Sequence, residues 1–104
     1  MRQTRTACVI VQVCNGLPQL TVPLPSRRDL CRFTLRPVTH TVQDFINQLR
    51  HEDHGIDRVL LRTTDGVRIS TSDSIESLLM NDFDLIINDV TYRVVVPDGQ
   101  KLTL

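Results

Sequence analysis

The stretch ACVIVQVCNGLPQLTVPLP, residues 7–25, contains two β-rich runs separated by Asn15-Gly16. This dipeptide tolerates a positive φ at both central positions of a type I′ turn, which suits the twist of a two-stranded hairpin. In the second run apolar and polar residues alternate, so one face of that strand is predicted to be buried. Pro23 cannot donate to a ladder, and it favours an edge strand or a bulge. The stretch therefore predicts a β-hairpin at the start of the fold.

The next run, CRFTLRP at 31–37, repeats the alternation and predicts a third strand. Cys31, Phe33 and Leu35 share one side of it, and we expect that side to face the core.

The apolar period then changes in THTVQDFINQLRHEDHG, residues 39–55. Apolar residues fall at i, i+3, i+4 and i+7, which predicts an amphipathic helix. Thr41 and Asp44 have the spacing of a capping box at its start. Gly55 is predicted to end it in a left-handed conformation, with Ile56 packing back as an apolar contact.

The second half alternates short elements. We predict strands at RVLLRT (58–63) and VRIS (67–70), and a short helix within SDSIESLLMND (72–82) that Asp73 caps. Two closing strands, FDLIIN and TYRVVVP, are joined at Asn88-Asp89. This order predicts one α+β domain over residues 1–104, with a mixed sheet of the β-grasp or ubiquitin-like kind, one long helix and one short helix.

Composition narrows the function. The chain is 40% hydrophobic and 23% charged, which is ordinary for a globular domain. Aromatic residues amount to 4%, too few for the stacking platforms that bind single-stranded nucleic acid. Residues 1–50 carry seven Arg against two acids, whereas residues 51–104 carry five basic residues against ten acids. Such a dipolar sequence favours either head-to-tail self-association or an acidic patch that attracts cations, unless the fold mixes the two halves.

The sequence gives little indication of a catalytic site. The three cysteines form no zinc pattern and suggest a reducing compartment. Cys8 and Cys14 lie in predicted strands, where buried thiols are common, and no spacing indicates a Cys–His pair. In HEDHGID (51–57), His51 and His54 lie at i, i+3 and share a helix face able to hold a metal, but a polar helix end explains them better. We therefore expect no enzyme and no tightly bound cofactor.

A second acidic set consists of Asp65 in a TDG turn together with Asp82, Asp84 and Asp89. Carboxylates from several loops can converge on Ca²⁺ or Mg²⁺. No EF-hand loop is present, so any such site is expected to be weak and superficial. Turn chemistry is the alternative explanation for Asp65.

The segment LPSRRDLCRF, residues 24–33, links two predicted strands. The neighbouring arginines would stabilise a thiolate at Cys31, and they could equally bind a phosphate. Against a reactive thiol, Cys31 lies on the core side of its strand. Ser26 and Asp29 have the spacing of a helix cap, so a structural role is the better explanation.

Several stretches, in order, resemble one family. NGLP, VPLPSRRDLCRFTLRPV, FINQLRHEDHGIDRV, TDGVRIS and LLMNDFDLIINDVTY together are similar to the matrix-side N-terminal domain of the mitochondrial calcium uniporter pore subunit. The resemblance runs from about Val9 to Val96. LLMNDF is also similar to the non-conducting paralogue of that subunit, whereas GIDRV and INDVTY are closer to the conducting one.

The resemblance also implies residue roles. Ser26 matches a phosphorylated serine, and Cys31 matches a redox-modified cysteine. Asp65 matches one aspartate of an acidic patch through which divalent cations weaken self-association. The second aspartate of that patch falls at Asn81, and neighbouring Asp82 is a partial substitute. One carboxylate fewer weakens the attraction for a divalent ion.

The resemblance thus implies a regulatory fragment of a longer, tetrameric channel subunit, on the matrix side of the inner mitochondrial membrane. The family's coiled coil, membrane helices and pore signature do not occur in these 104 residues, so membrane contact and conduction would depend on a C-terminal region. The expected function is modulation of assembly and calcium uptake by self-association, weak Ca²⁺ or Mg²⁺ sensing and contacts with uniporter regulatory proteins. The alternative is a ubiquitin-like docking module that binds a matrix regulator through the strand edge near Pro23, without cation sensing.

Overall fold

The computed structural model describes residues 7–97. The arginine-bearing start and the polar tail from residue 98 lie outside the described residues. Within them the elements follow in the order β1 (Ala7–Ile10), β2 (Gln12–Cys14), β3 (Leu17–Pro23), β4 (Leu30–Thr34), α1 (Val42–Glu52), β5 (Val59–Thr63), α2 (Ile75–Leu78), β6 (Phe83–Ile87) and β7 (Val90–Val95). No helix in this part of the chain has the length and apolarity needed to cross a bilayer.

The predicted hairpin forms, with φ of 54° at Asn15 and 80° at Gly16. Its first strand, however, is divided at Val11. The segment before Val11, β1, runs parallel to β7, and the segment after it, β2, runs antiparallel to β3. The Val11 N–H donates to the carbonyl of Val95 at 2.9 Å. One continuous run of sequence therefore contributes to two sheets.

The strands form a four-stranded sheet in the order β1-β7-β6-β5 and a three-stranded antiparallel sheet in the order β2-β3-β4. The first sheet is mixed because β1 is parallel to β7 while its other pairs are antiparallel. With one long and one short helix, this confirms the predicted α+β, β-grasp-like class.

Pro23 was predicted to lie in an edge strand or a bulge, and it lies in neither, since the register of β3 with β4 is continuous through Pro23. It belongs to β3, the middle strand, opposite Leu30 of β4. The ladder between β2 and β3 covers only Gln12–Cys14 against Leu17–Gln19, so it ends before Pro23. A proline is accommodated there because no ladder needs its missing N–H. The edge strands of this sheet are β2 and β4.

One hydrophobic cluster joins both sheets and both helices. The helix α1 contributes the four residues of its predicted apolar face, and the rings of Phe33 in β4 and Phe45 in α1 meet edge-to-face at 6.0 Å. The cluster comprises Val9, Val11, Leu20, Val22, Leu24, Cys31, Phe33, Leu35, Val42, Phe45, Ile46, Leu49, Ile56, Leu61, Ile75, Leu78, Leu79, Phe83, Leu85, Ile87, Val94 and Val96.

The start of α1 follows the prediction and its end does not. The Thr41 N–H donates to Asp44 Oδ2 at 2.9 Å, and the Asp44 N–H donates to Thr41 Oγ1 at 3.4 Å, which completes the capping box. The helix ends at Glu52, and Asp53 follows in an extended conformation with φ −144°. The described glycines with positive φ are Gly16 and Gly66, so Gly55 is not a left-handed cap. Ile56 is buried, as predicted.

Two further expectations need correction. The predicted strand at 67–70 contributes only an isolated bridge between Arg68 and Arg62. The short helix α2 begins after Ser74, whose hydroxyl accepts from the Ser77 N–H at 3.0 Å, so Asp73 is not the cap. The closing turn is confirmed, since Asn88 and Asp89 both have positive φ.

Candidate functional site

Asp65 and Asp82 line the same open depression, which the sequence could not establish because they lie in different loops. Its volume is about 600 Å³, and its other lining residues are Thr63, Thr64, Asn81 and Arg93. We call this site the acidic depression. Asn81 is exposed at its rim, so the position expected to carry a second aspartate presents an amide.

A tight turn after β5 holds Asp65 at the surface. The Thr63 hydroxyl donates to Asp65 Oδ1, and the Val67 N–H donates to Thr63 Oγ1 at 3.0 Å. Gly66 has φ +95°, a conformation that glycine adopts without a steric penalty. The hydroxyl of Thr63 lowers the pKa of Asp65, so the carboxylate is ionised at neutral pH.

Asp82 lies just before β6 and is half-buried. Its Oδ1 accepts from the Val96 N–H at 2.8 Å, which leaves Oδ2 as the oxygen without that bond. The guanidinium of Arg93 lines the same depression, and the charge of Asp82 contributes to the raised pKa of Arg93 after the larger effects of Asp84. The acidic depression therefore combines two carboxylates with one nearby positive charge.

The other predicted acids are not brought to this depression. Asp84 lies within β6, opposite Arg93 of β7 in the ladder, and its Oδ1 is 2.5 Å from Arg93 Nε. Asp89 forms an exposed ion pair with Arg58 at 2.6 Å. No group of three or more His, Cys, Asp or Glu side chains able to hold a metal is found within residues 7–97. A cation in the acidic depression would thus keep much of its water shell and bind weakly.

Ser26 lies in the loop between β3 and β4, where Asp53 anchors it. The Ser26 N–H donates to Asp53 Oδ2 at 2.8 Å, and the Gly55 N–H donates to Asp53 Oδ1 at 2.8 Å. The backbone of Ser26 is the main cause that lowers the pKa of Asp53, with burial opposing it. The predicted cap by Ser26 and Asp29 is wrong, because the end of α1 supplies the acceptor that Asp29 was expected to provide.

Asp53 is the residue that sequence reasoning missed. It is only 4% exposed, whereas the predicted polar helix end suggested a solvated side chain. The signal available was its spacing of two from Gly55, which suits an aspartate that bonds the backbone ahead of it. His51 and His54 line the shallow surface around Asp53 and Ser26.

Cys31 is 8% exposed and pairs with Val22 across the ladder, which confirms its predicted burial. Cys8 and Cys14 are both exposed, contrary to the expectation for strand cysteines. Cys8 lies in β1 and Cys14 at the end of β2, and both strands are edges of their sheets. Among the described cysteines, only the thiol at Cys31 belongs to the core.

The whole chain was compared with known protein families and with known proteins. No family model matches the chain. Over 95 residues it is 54% identical to the calcium uniporter protein, mitochondrial, of Tribolium castaneum, a match that covers 91% of this chain and 26% of the relative. The corresponding protein of Danio rerio is 49% identical over 96 residues, covering 85% of this chain and 26% of the relative. The chain is homologous to mitochondrial calcium uniporter proteins.

The human calcium uniporter regulatory subunit MCUb, mitochondrial, is also similar, at 44% identity over 87 residues, which cover 84% of this chain and 26% of the relative. The chain spans about a quarter of the length of the uniporter proteins it matches. The resemblance noted from the sequence is thereby confirmed, both for the uniporter protein and for its MCUb relative. The names of these relatives denote mitochondrial subunits of a calcium transporter, not an enzyme.

Proposed function

We propose that this chain is a non-enzymatic regulatory domain of a calcium uniporter subunit, on the matrix side of the inner mitochondrial membrane. It modulates channel assembly and calcium uptake by self-association and by weak sensing of divalent cations. Within the whole tetrameric channel its partners are further copies of itself and uniporter regulatory proteins. The observation that carries the proposal is the acidic depression, where Asp65 and Asp82 come together from separate loops.

The electrostatics of the acidic depression explain why the response is weak. Each carboxylate has one oxygen already engaged, Asp65 by Thr63 and Asp82 by Val96. Two outer oxygens remain for a hydrated Ca²⁺ or Mg²⁺, and the Arg93 guanidinium reduces the negative potential they produce. Asn81 offers a carbonyl oxygen without charge. A bound divalent cation neutralises the two carboxylates of this patch, which changes how it meets a second copy of the domain.

Modification of Ser26 would act on a different surface. A phosphate on its hydroxyl would introduce about two negative charges beside the buried carboxylate of Asp53. Arg27 is already paired with Glu52 at 3.2 Å, so compensation would have to break an existing contact or use Arg28. Phosphorylation at Ser26 would therefore release the loop from the end of α1. Redox modification of Cys31 would require local opening of β4, because its thiol is buried.

Sedimentation velocity and light scattering test the cation response. We expect millimolar Mg²⁺ or Ca²⁺ to lower the mean mass of the oligomer, and Asp65→Arg to lower it permanently and remove the response, since the guanidinium supplies the positive charge of the cation. Asp57→Arg is the matched control, because Asp57 is exposed and lies outside the acidic depression. An oligomer indifferent to cations and to Asp65→Arg would rule out the sensing role.

A further inference from the structure

The segment that links β3 to β4, residues 24–29, lies on the surface except at its first residue. Leu24 is 4% exposed and belongs to the hydrophobic cluster, whereas residues 25–29 are all exposed. The Arg27 N–H donates to the Leu24 carbonyl at 3.3 Å, which closes a tight turn. We call this segment the connecting turn. It has one apolar anchor and a polar, solvated remainder.

The end of α1 holds the connecting turn through contacts of unequal strength. The Ser26 N–H donates to Asp53 Oδ2 at 2.8 Å, and Asp53 is buried. Arg27 and Glu52 form an ion pair at 3.2 Å, in which both side chains are exposed. Exposed ion pairs contribute little, whereas a hydrogen bond to a charged group changes an equilibrium by about tenfold or more. Asp53 is therefore the main restraint on the turn.

The carboxylate of Asp53 is positioned by bonds that do not involve the connecting turn. The Asp53 N–H donates to the Leu49 carbonyl at 3.0 Å, and the Gly55 N–H donates to Asp53 Oδ1 at 2.8 Å. These bonds keep the acceptor in place when Ser26 moves away, and water then hydrates Oδ2. The turn can consequently leave and return without a rearrangement of α1.

Cys31 lies at the end of the ladder that the connecting turn closes. Val22 and Cys31 are the last core-facing pair between β3 and β4, and the final pair, Pro23 with Leu30, faces outward. Cys31 is 8% exposed and belongs to the same cluster as Leu24. Ladder ends and surface loops open at a lower cost than the middle of a sheet. Movement of the turn would take Leu24 out of the core and leave Cys31 at the open end.

We propose that the connecting turn opens as a unit with Asp53 as its latch, and that this local opening exposes Cys31 while both helices and the remaining ladders stay folded. The bond from Ser26 to Asp53 sets the population of the open state. Cys31 is thereby a gated thiol, whose reactivity depends on a carboxylate in a different segment of the chain. The proposal needs neither a cation nor self-association, and the turn shares no residue with the acidic depression.

The rate at which Cys31 reacts with excess Ellman's reagent measures the opening, in the full chain with the exposed cysteines changed to serine. The native rate divided by the rate in denaturant gives the open fraction. We expect Asp53→Ala to raise that fraction at least tenfold, because the variant lacks both acceptor oxygens. Asp53→Asn keeps the shape of the side chain and one acceptor, and it should raise the fraction less, in the same direction.

Two control variants separate the latch from other effects. Glu52→Gln removes the exposed contact with the same turn and should change the rate by less than twofold. Asp44→Ala removes a carboxylate that bonds the backbone at the opposite end of α1, so it lowers global stability and leaves the latch intact. It should also change the rate by less than twofold.

Urea distinguishes local opening from global unfolding. Opening of a short turn exposes little surface, so the parent rate should change by less than twofold between 0 and 1 M urea. Reaction through global unfolding would accelerate about tenfold over that range, for the urea dependence typical of a small domain. Such an acceleration, an unchanged rate in Asp53→Ala, or an equal increase in Asp44→Ala would overturn the proposal.

Discussion

Gly55 makes a close contact that a single methyl group tests. A Cβ added at this residue would lie 2.2 Å from Ser26 Oγ and 3.1 Å from Asp53 Oδ1. Since the φ of Gly55 is not positive, alanine meets no backbone penalty there. Without the contact, Gly55→Ala would stabilise the fold by about 0.4–1 kcal/mol, because alanine restricts the unfolded chain. The sign of the change in unfolding free energy therefore reports whether the loop lies against the helix end.

The magnitude follows from what must move. If the Ser26 hydroxyl swings aside, the loss is about that of one hydrogen bond, 0.5–1.5 kcal/mol. If the loop backbone shifts as well, the loss in unfolding free energy approaches the cost of overpacking, about 1–3 kcal/mol. After subtracting the unfolded-state gain, we expect Gly55→Ala to destabilise the chain by about 1–2 kcal/mol.

Urea unfolding followed by circular dichroism measures this loss. For an m-value near 1.5 kcal/mol/M, the midpoint should fall by about 1 M. Ser26→Ala provides the second arm, because the Ser26 Cβ would be 3.5 Å from the added methyl, an ordinary contact. In that background Gly55→Ala should cost at most half as much, so the two changes are coupled. A stabilised Gly55→Ala, or equal losses in both backgrounds, would refute the described contact.

Two other predictions concern Cys31 and acid stability. Cys31 should react with a thiol reagent at least tenfold more slowly in the native chain than in denaturant, in a variant with the exposed cysteines changed to serine, and equal rates would contradict its burial. Hydrogen bonds lower the folded-state pKa values of Asp44 and Asp53 below the ordinary 3.8. Their contribution is therefore complete above that pH and is lost as the pH falls toward their folded-state values. Urea midpoints should decline below about pH 4, and Asp53→Asn should decline less steeply there than the parent chain.

Local patterns predicted most of the fold because each depends on neighbours in the sequence. The Asn15-Gly16 turn, the capping box at Thr41 and the apolar face of α1 require only residues within one turn or one helix. These features also determined the β-grasp-like class, since the order of elements limits the sheets that can form.

Contacts between distant segments could not be read in the same way. The sequence predicted Gly55 as a helix cap. In the structure, glycine is required at this position because Ser26, in another loop, leaves no room for a Cβ. Asp84 and Asp82 looked equivalent in the sequence. Asp84 lies within β6, opposite Arg93 in the ladder, and pairs with that arginine, whereas Asp82 precedes the strand and lies at the acidic depression. The shared position of Asp65 and Asp82 likewise depends on how β5 and β6 are aligned.

The parallel pairing of β1 with β7 has a consequence for how the chain folds during synthesis. Ala7 lies opposite Tyr92, so nearly the whole described sequence separates the two partners. A ladder with such a long intervening loop forms slowly, because its contacts form only after the loop has been closed. While the protein is being made, β1 has no partner strand on its β7 side until β7 leaves the ribosome. The earliest of the described strands to be synthesised is thus among the last of them to be protected.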